Sequence, residues 1–229
     1  LITKSKIMDR KKFLKNGALG LGTIVGIPTV VSSCSKNEAN PAVPGSCTTS
    51  PTETAGPFPI LTPTQLVRAS IIGNRTGVAL LMTLTIQDRS NGCTPLADAL
   101  VDVWQCDREG AYSQYGGNQS ENFLRGRQTT NPDGRVSFIS IFPGWYPGRA
   151  PHIHVEVLTS AGSSLLITQI AFPVDTYTTV YASTGYNGAP DTSNSADGIF
   201  SNSLSGNIAD SVTGNIADGY TLLKTITVS

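Results

Sequence analysis

The stretch PGWYPGRAPHIHVEV, residues 143–157, decides the fold that we expect for this chain of 229 residues. From residue 152 onwards polar and apolar side chains alternate, and this period of two predicts a β-strand. Residues two apart on a strand share a face, so His152, His154 and Glu156 point to the same side. These are the two histidines of the chain, and imidazole is the commonest metal-ligating side chain. The stretch therefore predicts a strand that carries a metal site; the alternative is a pair of core histidines without a metal.

Six more segments have the composition of strands and are separated by turns rich in Gly, Pro, Asn and Asp. The predicted strands cover residues 78–87, 100–105, 123–130, 135–142, 152–158, 165–172 and 220–228. No helical periodicity interrupts them. We therefore predict an all-β fold, an antiparallel β-sandwich of about seven to eight strands with long active-site loops and little helix.

The connections between these strands carry their own signals. The sequence Asn-Pro-Asp-Gly at 131–134 is typical of a turn, so residues 123–142 are expected to form a hairpin. A short helix is expected over 174–182. Residues 183–219 are rich in Gly, Asn, Ser and Asp, which predicts a long loop that covers another part of the domain.

Residues 1–33 have the features of a lipoprotein-like bacterial signal peptide, and they are left out of the fold prediction. Six basic residues flank or precede an apolar stretch at 17–31, which is too short for a comfortable membrane span. The segment ends in Val-Ser-Ser before Cys34, which looks like a lipobox. We expect export to the bacterial periplasm or cell surface, by the general or the twin-arginine route, with a lipid anchor at Cys34 as the one membrane contact. Residues 34–50 are expected to be a flexible tether, and the folded domain to cover 51–229.

Charge and cysteine content narrow the classes of partner. Residues 1–33 contain 6 of the 16 basic and 1 of the 16 acidic residues, so 10 basic and 15 acidic residues remain, a net charge of −5. No basic patch is left, which argues against nucleic acid as a partner. In an exported protein, two of Cys47, Cys93 and Cys106 are expected to form a disulfide. Sequence alone leaves the pairing open, and Cys93 with Cys106 is the pairing that we prefer.

A second chemical cluster lies in VWQCDREGAY, residues 103–112, where a strand is expected to end and a turn to bring out Tyr112. Alone, Tyr112 is more typical of packing at the rim of a sandwich. With Tyr146, His152 and His154 it completes a set of two tyrosines and two histidines. Phenolate is a hard anionic donor that suits ferric iron, as in tyrosinate-ligated haem. The set therefore predicts a ferric iron site that has free positions for a substrate.

Together these motifs resemble the intradiol ring-cleavage dioxygenases, the family of catechol and protocatechuate 3,4-dioxygenases, and in particular its exported branch. The matching segments are TETAGPF at 52–58, VWQ to Tyr at 103–112, FLRGR at 123–127, DG at 133–134, PGWY at 143–146, RAPHIH at 149–154 and TQ at 168–169. They follow the order and approximate spacing of the family, and the 143–154 block is highly specific.

The resemblance implies a role for each matching residue. The implied Fe(3+) ligands are Tyr112, Tyr146, His152 and His154. Tyr146 would leave the metal when substrate binds, and Arg149 and Gln169 would stabilise negative charge on the ring. Gly56 and Pro57 would join Arg149 and Gln169 in binding a small aromatic diol, which reacts with O2 to give a muconate-type diacid. Family members often associate, so an oligomer is compatible with the resemblance.

Two departures and several alternatives stay open at this point. The family pattern Thr-Glu-Gly-Pro-Tyr is Thr-Ala-Gly-Pro-Phe at 54–58, and Gly148 stands where protocatechuate enzymes carry tryptophan; both change the walls of the pocket. One alternative is an Fe(II) site formed by His152, His154 and Glu156. Another is a lipid-tethered, non-catalytic β-sandwich that binds an aromatic or polysaccharide ligand. The two arginines at 125 and 127 are expected to form structural ion pairs with acids such as Asp102 or Asp107.

Overall fold

The computed structural model of the protein describes residues 46–229. The predicted signal peptide at 1–33, the predicted anchor at Cys34 and most of the predicted tether lie outside this range and stay predictions. Over the range that is described, no helix combines the length and apolar character needed to cross a membrane.

Nine strands in residues 46–229 form two sheets. The strands are β1 (Ala79–Asp88), β2 (Thr94–Pro95), β3 (Leu100–Trp104), β4 (Arg125–Thr129), β5 (Arg135–Ile141), β6 (His152–Leu158), β7 (Ser164–Ala171), β8 (Ser211–Asn215) and β9 (Gly219–Val228). One sheet has the order β2-β1-β9-β8, with β5 also paired to β1, and the other has the order β4-β3-β6-β7. All seven predicted strands are present, and the structure adds β2 and β8.

The two sheets enclose one main hydrophobic core. Alternation along β1 buries Leu80, Met82, Leu84 and Ile86 on one face, as expected for a strand with one face inward. Residues from β3, β5, β6, β7 and β9 join the same buried cluster. The predicted β-sandwich is therefore confirmed. Helix is limited in these residues to α1 (Val174–Tyr181), α2 (Leu204–Asn207) and two short 3₁₀ turns.

One strand pair departs from the antiparallel prediction. β1 and β9 run parallel over nine residue pairs, whereas the other pairs of strands are antiparallel. Parallel neighbours need a long connection, and here most of the domain lies between β1 and β9 in the sequence. Because no local signal links two such distant segments, their direction could not be read from the sequence.

The predicted hairpin over 123–142 is wrong. Its turn does form, since Gly134 has a φ of 70° and donates from its backbone nitrogen to the Asn131 carbonyl at 2.8 Å. However, β4 pairs with β3 and β5 pairs with β1, so this turn carries the chain from one sheet to the other. Residues 66–71 lie between β4 and β5 and bond to both, through the carbonyls of Leu66 and Ala69. The turn residues determine where the chain reverses direction, but not which strands β4 and β5 pair with.

The preferred disulfide is also wrong, because the structure joins Cys47 to Cys93. Cys93 lies in the turn between β1 and β2, whereas Cys106 follows β3 into a separate cluster, where it is buried as a free thiol beside Trp104. The disulfide and a backbone bond from Ser50 to Thr227 attach residues 46–50 to the sandwich. These residues are the end of the predicted tether, and the segment that follows them reaches the candidate site.

Candidate active site

The candidate site lies on the outer face of the β4-β3-β6-β7 sheet, away from the main core. Along β6, Ile153 and Val155 belong to that core, and the alternating His152 and His154 therefore point to the opposite face. The register aligns one residue from each strand in a row across this outer face. The row consists of Arg125 (β4), Trp104 (β3), His154 (β6) and Gln169 (β7).

The two imidazoles meet through their Nε2 atoms, which are 3.1 Å apart. His152 Nδ1 lies 2.6 Å from the Ala150 carbonyl and donates its proton there, so its Nε2 carries a lone pair. The ring of His154 stacks on Trp104 with centroids 4.9 Å apart. Burial, together with neighbouring positive charge, lowers the pKa of His152 to about 4 and that of His154 well below its usual range. Both imidazoles are therefore neutral near pH 7.

Two tyrosines enclose the histidines. The ring centroid of Tyr146 lies 5.6 Å from that of His152, and the ring centroid of Tyr112 lies 6.3 Å from that of His154 and 5.8 Å from that of Tyr146. Both hydroxyl oxygens are buried and make no hydrogen bond of normal geometry. Burial raises the pKa of each phenol, while the positive charge of Arg149 opposes the rise. Unpartnered buried hydroxyls are costly in a finished core.

The segment after the disulfide forms one wall of the site. Gly56 lies against the ring of His154, and a Cβ added to it would come within 2.9 Å of His154 Cε1. Its φ of 69° also favours glycine. Phe58 stacks on Tyr112 at a centroid distance of 4.8 Å, whereas the neighbouring Pro57 is exposed. Of the two predicted substrate-binding residues here, the structure brings Gly56 against the histidines.

Arg149 and Gln169, which the sequence predicted as catalytic residues, are in direct contact. Arg149 Nη2 donates to Gln169 Oε1 at 2.6 Å, and Gln169 Nε2 donates to the Thr54 carbonyl at 2.8 Å. At its other end, Arg149 Nε donates to Asp197 Oδ2 at 2.8 Å. The guanidinium is thus held from two sides beside the tyrosines and histidines.

Comparisons with known proteins agree on one family. A family model described as "Dioxygenase" matches residues 60–184. An intradiol ring-cleavage dioxygenase from Tetranychus urticae has 30% identity and a TM-score of 0.73, covering 80% of this chain and 95% of that chain. The chain belongs to the intradiol ring-cleavage dioxygenase family.

Curated relatives of this chain match over shorter segments. The protocatechuate 3,4-dioxygenase beta chain of Burkholderia cepacia is 35% identical over 115 residues, 45% of this chain and 48% of that protein. Hydroxyquinol 1,2-dioxygenase of Rhizobium sp. (strain MTP-10005) is 34% identical over 141 residues, 53% of this chain and 47% of that protein. The chain therefore spans about half the length of these curated relatives.

The four side chains Tyr112, Tyr146, His152 and His154 fit a metal ion. Two imidazole nitrogens bound at about 2.1 Å to one ion, roughly at right angles, lie about 3 Å apart; the Nε2 atoms of His152 and His154 are 3.1 Å apart. The other ring nitrogen of His152, Nδ1, donates its proton to a carbonyl, which is the usual arrangement of a metal-ligating histidine. The buried, unpartnered hydroxyls of Tyr112 and Tyr146 supply two oxygen donors. All four donors are consistent with a ferric ion.

The alternative Fe(II) triad is not assembled. Glu156 lies on the same face as the two histidines, but in register with Asp102. The pKa of Arg127 is raised mainly by its hydrogen bond to Asp102, and the charge of Glu156 adds to the rise. Within residues 46–229, no group of three or more His, Cys, Asp and Glu side chains is arranged to hold a metal ion. Glu156 is therefore part of a neighbouring ionic cluster.

The two arginines of the FLRGR motif behave differently. Arg127 forms the expected ion pair, with Nε and Nη2 at 2.6 and 2.7 Å from the two carboxylate oxygens of Asp102. Arg125 does not: it donates to the carbonyls of Ser113 and Phe58, and no acid of the described chain pairs with it. Burial lowers the pKa of Arg125 to about 10. Its expected ion pair is wrong: the Arg125 guanidinium carbon lies 5.7 Å from the ring centroid of Tyr112 and 5.4 Å from that of Tyr115.

Sequence reasoning missed two residues that contact this site. Asp197 bonds Arg149, and the ring of Phe200 lies 5.6 Å from the Arg149 guanidinium carbon and 6.3 Å from the His152 ring. Both come from the 183–219 segment, whose composition predicted only a covering loop. Its many Asp, Asn and Ser residues gave no signal that singled out one aspartate.

Proposed function

We propose that this protein is a non-haem Fe(III)-dependent enzyme that cleaves a catechol-type ring between its two hydroxylated carbons, using O2. The observation that carries the proposal is the convergence of two buried phenol oxygens that make no hydrogen bond of normal geometry and two imidazole nitrogens 3.1 Å apart. The names of its relatives, which include protocatechuate, hydroxyquinol and chlorocatechol dioxygenases, support a catechol-type substrate.

Four side chains would hold the metal: Tyr112, Tyr146, His152 and His154. Bound there, ferric iron would supply Lewis acidity toward the two substrate oxygens and the redox chemistry that joins the ring to O2. The neutral imidazoles offer lone pairs without having to lose a proton near pH 7. The phenols must lose theirs, and the resulting negative charge offsets part of the charge of the ion.

Tyr146 is the better placed of the two phenols to exchange with substrate. Its side chain is only partly buried, whereas the side chain of Tyr112 is buried and its ring stacks on that of Phe58. Burial raises the pKa of Tyr146, and the positive charge of Arg149 opposes that rise. Release of Tyr146 as substrate binds would give it the capacity to accept a proton from a catechol hydroxyl.

Arg149 and Gln169 would stabilise the negative charge that develops on the ring. Donors that are already fixed in place stabilise a transition state without reorganisation, and hydrogen bonds to Asp197 and Gln169 fix this guanidinium. In the overall reaction one ring carbon–carbon bond breaks and both oxygen atoms of O2 enter the product. The diol thereby becomes a muconate-type diacid.

The test is the visible absorption spectrum of the iron-loaded protein, before and after anaerobic addition of catechol. Ferric iron bound to two tyrosinates is expected to give a charge-transfer band that shifts to longer wavelength when catecholate binds. Tyr112→Phe and Tyr146→Phe should each remove part of the band. Tyr177→Phe is the matched control, because the Tyr177 side chain is buried like that of Tyr112 but lies on α1, in the main core.

Oxygen uptake and product analysis complete the test. A shifting band together with a diacid product supports the proposal. Iron that binds without a tyrosinate band contradicts the ligand set. A protein that binds catechol but takes up no iron would instead favour the non-catalytic binding module.

A further inference from the structure

Asp197 presents a buried carboxylate to the candidate site from outside the matched family region, which ends at residue 184. Its side chain has no exposed surface. Oδ2 accepts bonds from Arg149 Nε at 2.8 Å and from the backbone nitrogen of Ala150 at 2.7 Å, and Oδ1 accepts one from the nitrogen of Ile199 at 2.8 Å. Burial by itself would raise the pKa of Asp197, but these bonds outweigh it and lower the pKa. The group is therefore a carboxylate at neutral pH.

The two bonds of Oδ2 reach two different parts of the site. One holds Nε of Arg149, whose Nη2 is bonded to Gln169 at 2.6 Å, so the guanidinium plane is fixed at both ends. The other holds the peptide nitrogen of Ala150, whose carbonyl accepts the Nδ1 proton of His152. One carboxylate oxygen thus bonds directly to the Arg149 guanidinium and is linked to the His152 imidazole through Ala150.

The segment that carries Asp197 is itself anchored on both sides. Asn194 Nδ2 donates to the Phe172 carbonyl at 2.8 Å, and Ser203 Oγ donates to Glu53 Oε1 at 2.8 Å. Between these points Phe200 packs its ring near Arg149. Because Phe172 directly follows β7 and Glu53 belongs to the segment that forms one wall of the site, Asp197 has little freedom to move relative to the histidines.

We propose that Asp197 is a positioning residue of the ring-cleavage reaction: it fixes the Arg149 guanidinium toward the substrate and, through Ala150, the orientation of the His152 ring. This inference rests on the proposed function. Positioning of this kind acts mainly on the transition state, because a guanidinium that is free to move must reorganise as charge develops.

The test compares Asp197→Asn with the unchanged protein, both as the iron-loaded full chain. We expect kcat to fall about 10–100-fold, the range typical of groups that orient a ligand. We expect the anaerobic Kd for catechol to change by less than about threefold, as for an interaction made mainly in the transition state. The tyrosinate band should persist, since Asp197 makes no bond to Tyr112 or Tyr146.

Asp191→Asn is the matched control. Asp191 lies on the same segment and accepts a bond from the backbone nitrogen of Gly148, but its carboxylate is exposed. Its substitution should leave kcat and Kd within about twofold of the unchanged protein, as usual for a surface position. If the two asparagine variants behave alike, or if Asp197→Asn retains full kcat, the proposal is overturned.

A double-mutant cycle with Arg149→Ala separates positioning from general loosening. If Asp197 acts largely through Arg149, its substitution in the Arg149→Ala background should cost less than about fivefold in kcat, so the effects are not additive. Fully additive effects contradict the proposal.

If Asp197→Asn fails to fold, the variant Asp197→Glu takes its place, because it keeps the negative charge and is expected to retain part of the activity. An Asp197→Glu protein that folds and keeps its contacts to Arg149 but is inactive also contradicts the proposal.

Hydrogen exchange distinguishes failure of this inference from failure of the proposed function. The Ala150 amide should exchange at least about tenfold faster in Asp197→Asn than in the unchanged protein, because its acceptor is weakened. This measurement needs no catalytic turnover. If the Ala150 amide exchanges faster in Asp197→Asn but the unchanged protein does not cleave the ring, the proposed function is rejected while the Asp197–Ala150 hydrogen bond is supported. If exchange is the same in both proteins and the unchanged protein is active, the role of Asp197 is rejected.

Discussion

The two faces of the β4-β3-β6-β7 sheet share strands but differ in nearly every property. The inner face is aliphatic, with residues such as Val103, Val155 and Ile170 buried in the main core. The outer face carries the row from Arg125 to Gln169, which holds a cation, an indole, an imidazole and an amide that are all buried. Consecutive residues of β6 therefore belong to different environments.

The difference shows how this fold separates stability from chemistry. Aliphatic contacts on the inner face are non-directional, so they stabilise the sandwich without constraining any single polar group. On the outer face a buried polar atom needs a partner, and the Tyr112 and Tyr146 hydroxyls, which lack one of normal geometry, are two of the atoms on which the proposed metal site rests. Substitutions on the inner face should therefore lower mainly stability, and substitutions on the outer face should lower mainly metal binding and activity.

The largest expected effect on stability comes from Ile153→Ala on the inner face. Ile153 is fully buried between His152 and His154 in the sequence, and truncating it should lower the free energy of unfolding by about 2–5 kcal/mol. Denaturant unfolding measures this loss. The tyrosinate band and the kcat per folded molecule should stay within about threefold, because the lost contacts belong to the other face.

His154→Gln, the adjacent change, is the control for that comparison. It should remove iron and activity while leaving the inner-face packing in place. If the Ile153→Ala protein is fully folded but has lost the tyrosinate band, packing on the inner face affects the outer face, and the two faces are not independent.

The next effect is the acid sensitivity of the metal-free protein. The pKa of His152 is lowered to about 4 in the folded chain, against about 6.5 when unfolded. Its contribution is fully present above pH 6.5 and is lost as the pH falls toward 4, because only the unfolded state takes up the proton in that window. The loss from this one group is about 3 kcal/mol.

Urea unfolding between pH 7 and pH 4 measures this dependence. His152→Asn should make the stability curve less steep over that range, since one of the two buried histidines that take up a proton on unfolding is gone while His154 stays. A curve as steep as that of the unchanged protein would mean that His152 is not buried as a neutral imidazole.

The smallest expected effect is that of Glu156→Gln, on the same outer face as the histidines. Because Glu156 lies with Asp102 and Arg127 outside the donor set, iron content should be unchanged and kcat should change by less than about twofold. Metal analysis and oxygen uptake measure both. If this variant loses iron while Tyr112→Phe retains it, the result would favour the alternative Fe(II) site formed by His152, His154 and Glu156.

Much of the fold could be predicted because strands have a local signature. The period of two identified β6 with its observed bounds, 152–158, and the same pattern located the other long strands to within a few residues. The motifs also brought Tyr112, Tyr146, Arg149 and Gln169 into one set, and the structure gathers these residues around the two histidines. Short β2 and exposed β8 have too few apolar positions to give such a signal.

Strand partners, the disulfide and the residues that hold the site in place could not be predicted in this way. Nothing near 123–142 indicates that β4 and β5 join different sheets, and nothing near Cys93 indicates that its partner is Cys47. Asp197 reaches Arg149 across 48 residues. Each of these contacts depends on which segments occupy a shared edge or surface after folding.

By itself, the sequence determined the all-β fold class, the strand that carries the histidines and the family of the chain, since periodicity and short motifs are properties of neighbouring residues. Only the tertiary structure decided that the site lies on the outer face, that Gly56 closes against His154 and that Asp197 fixes Arg149. These outcomes follow from the packing of distant segments, because a polar group on a buried face must find its partner wherever the fold brings one within hydrogen-bond distance.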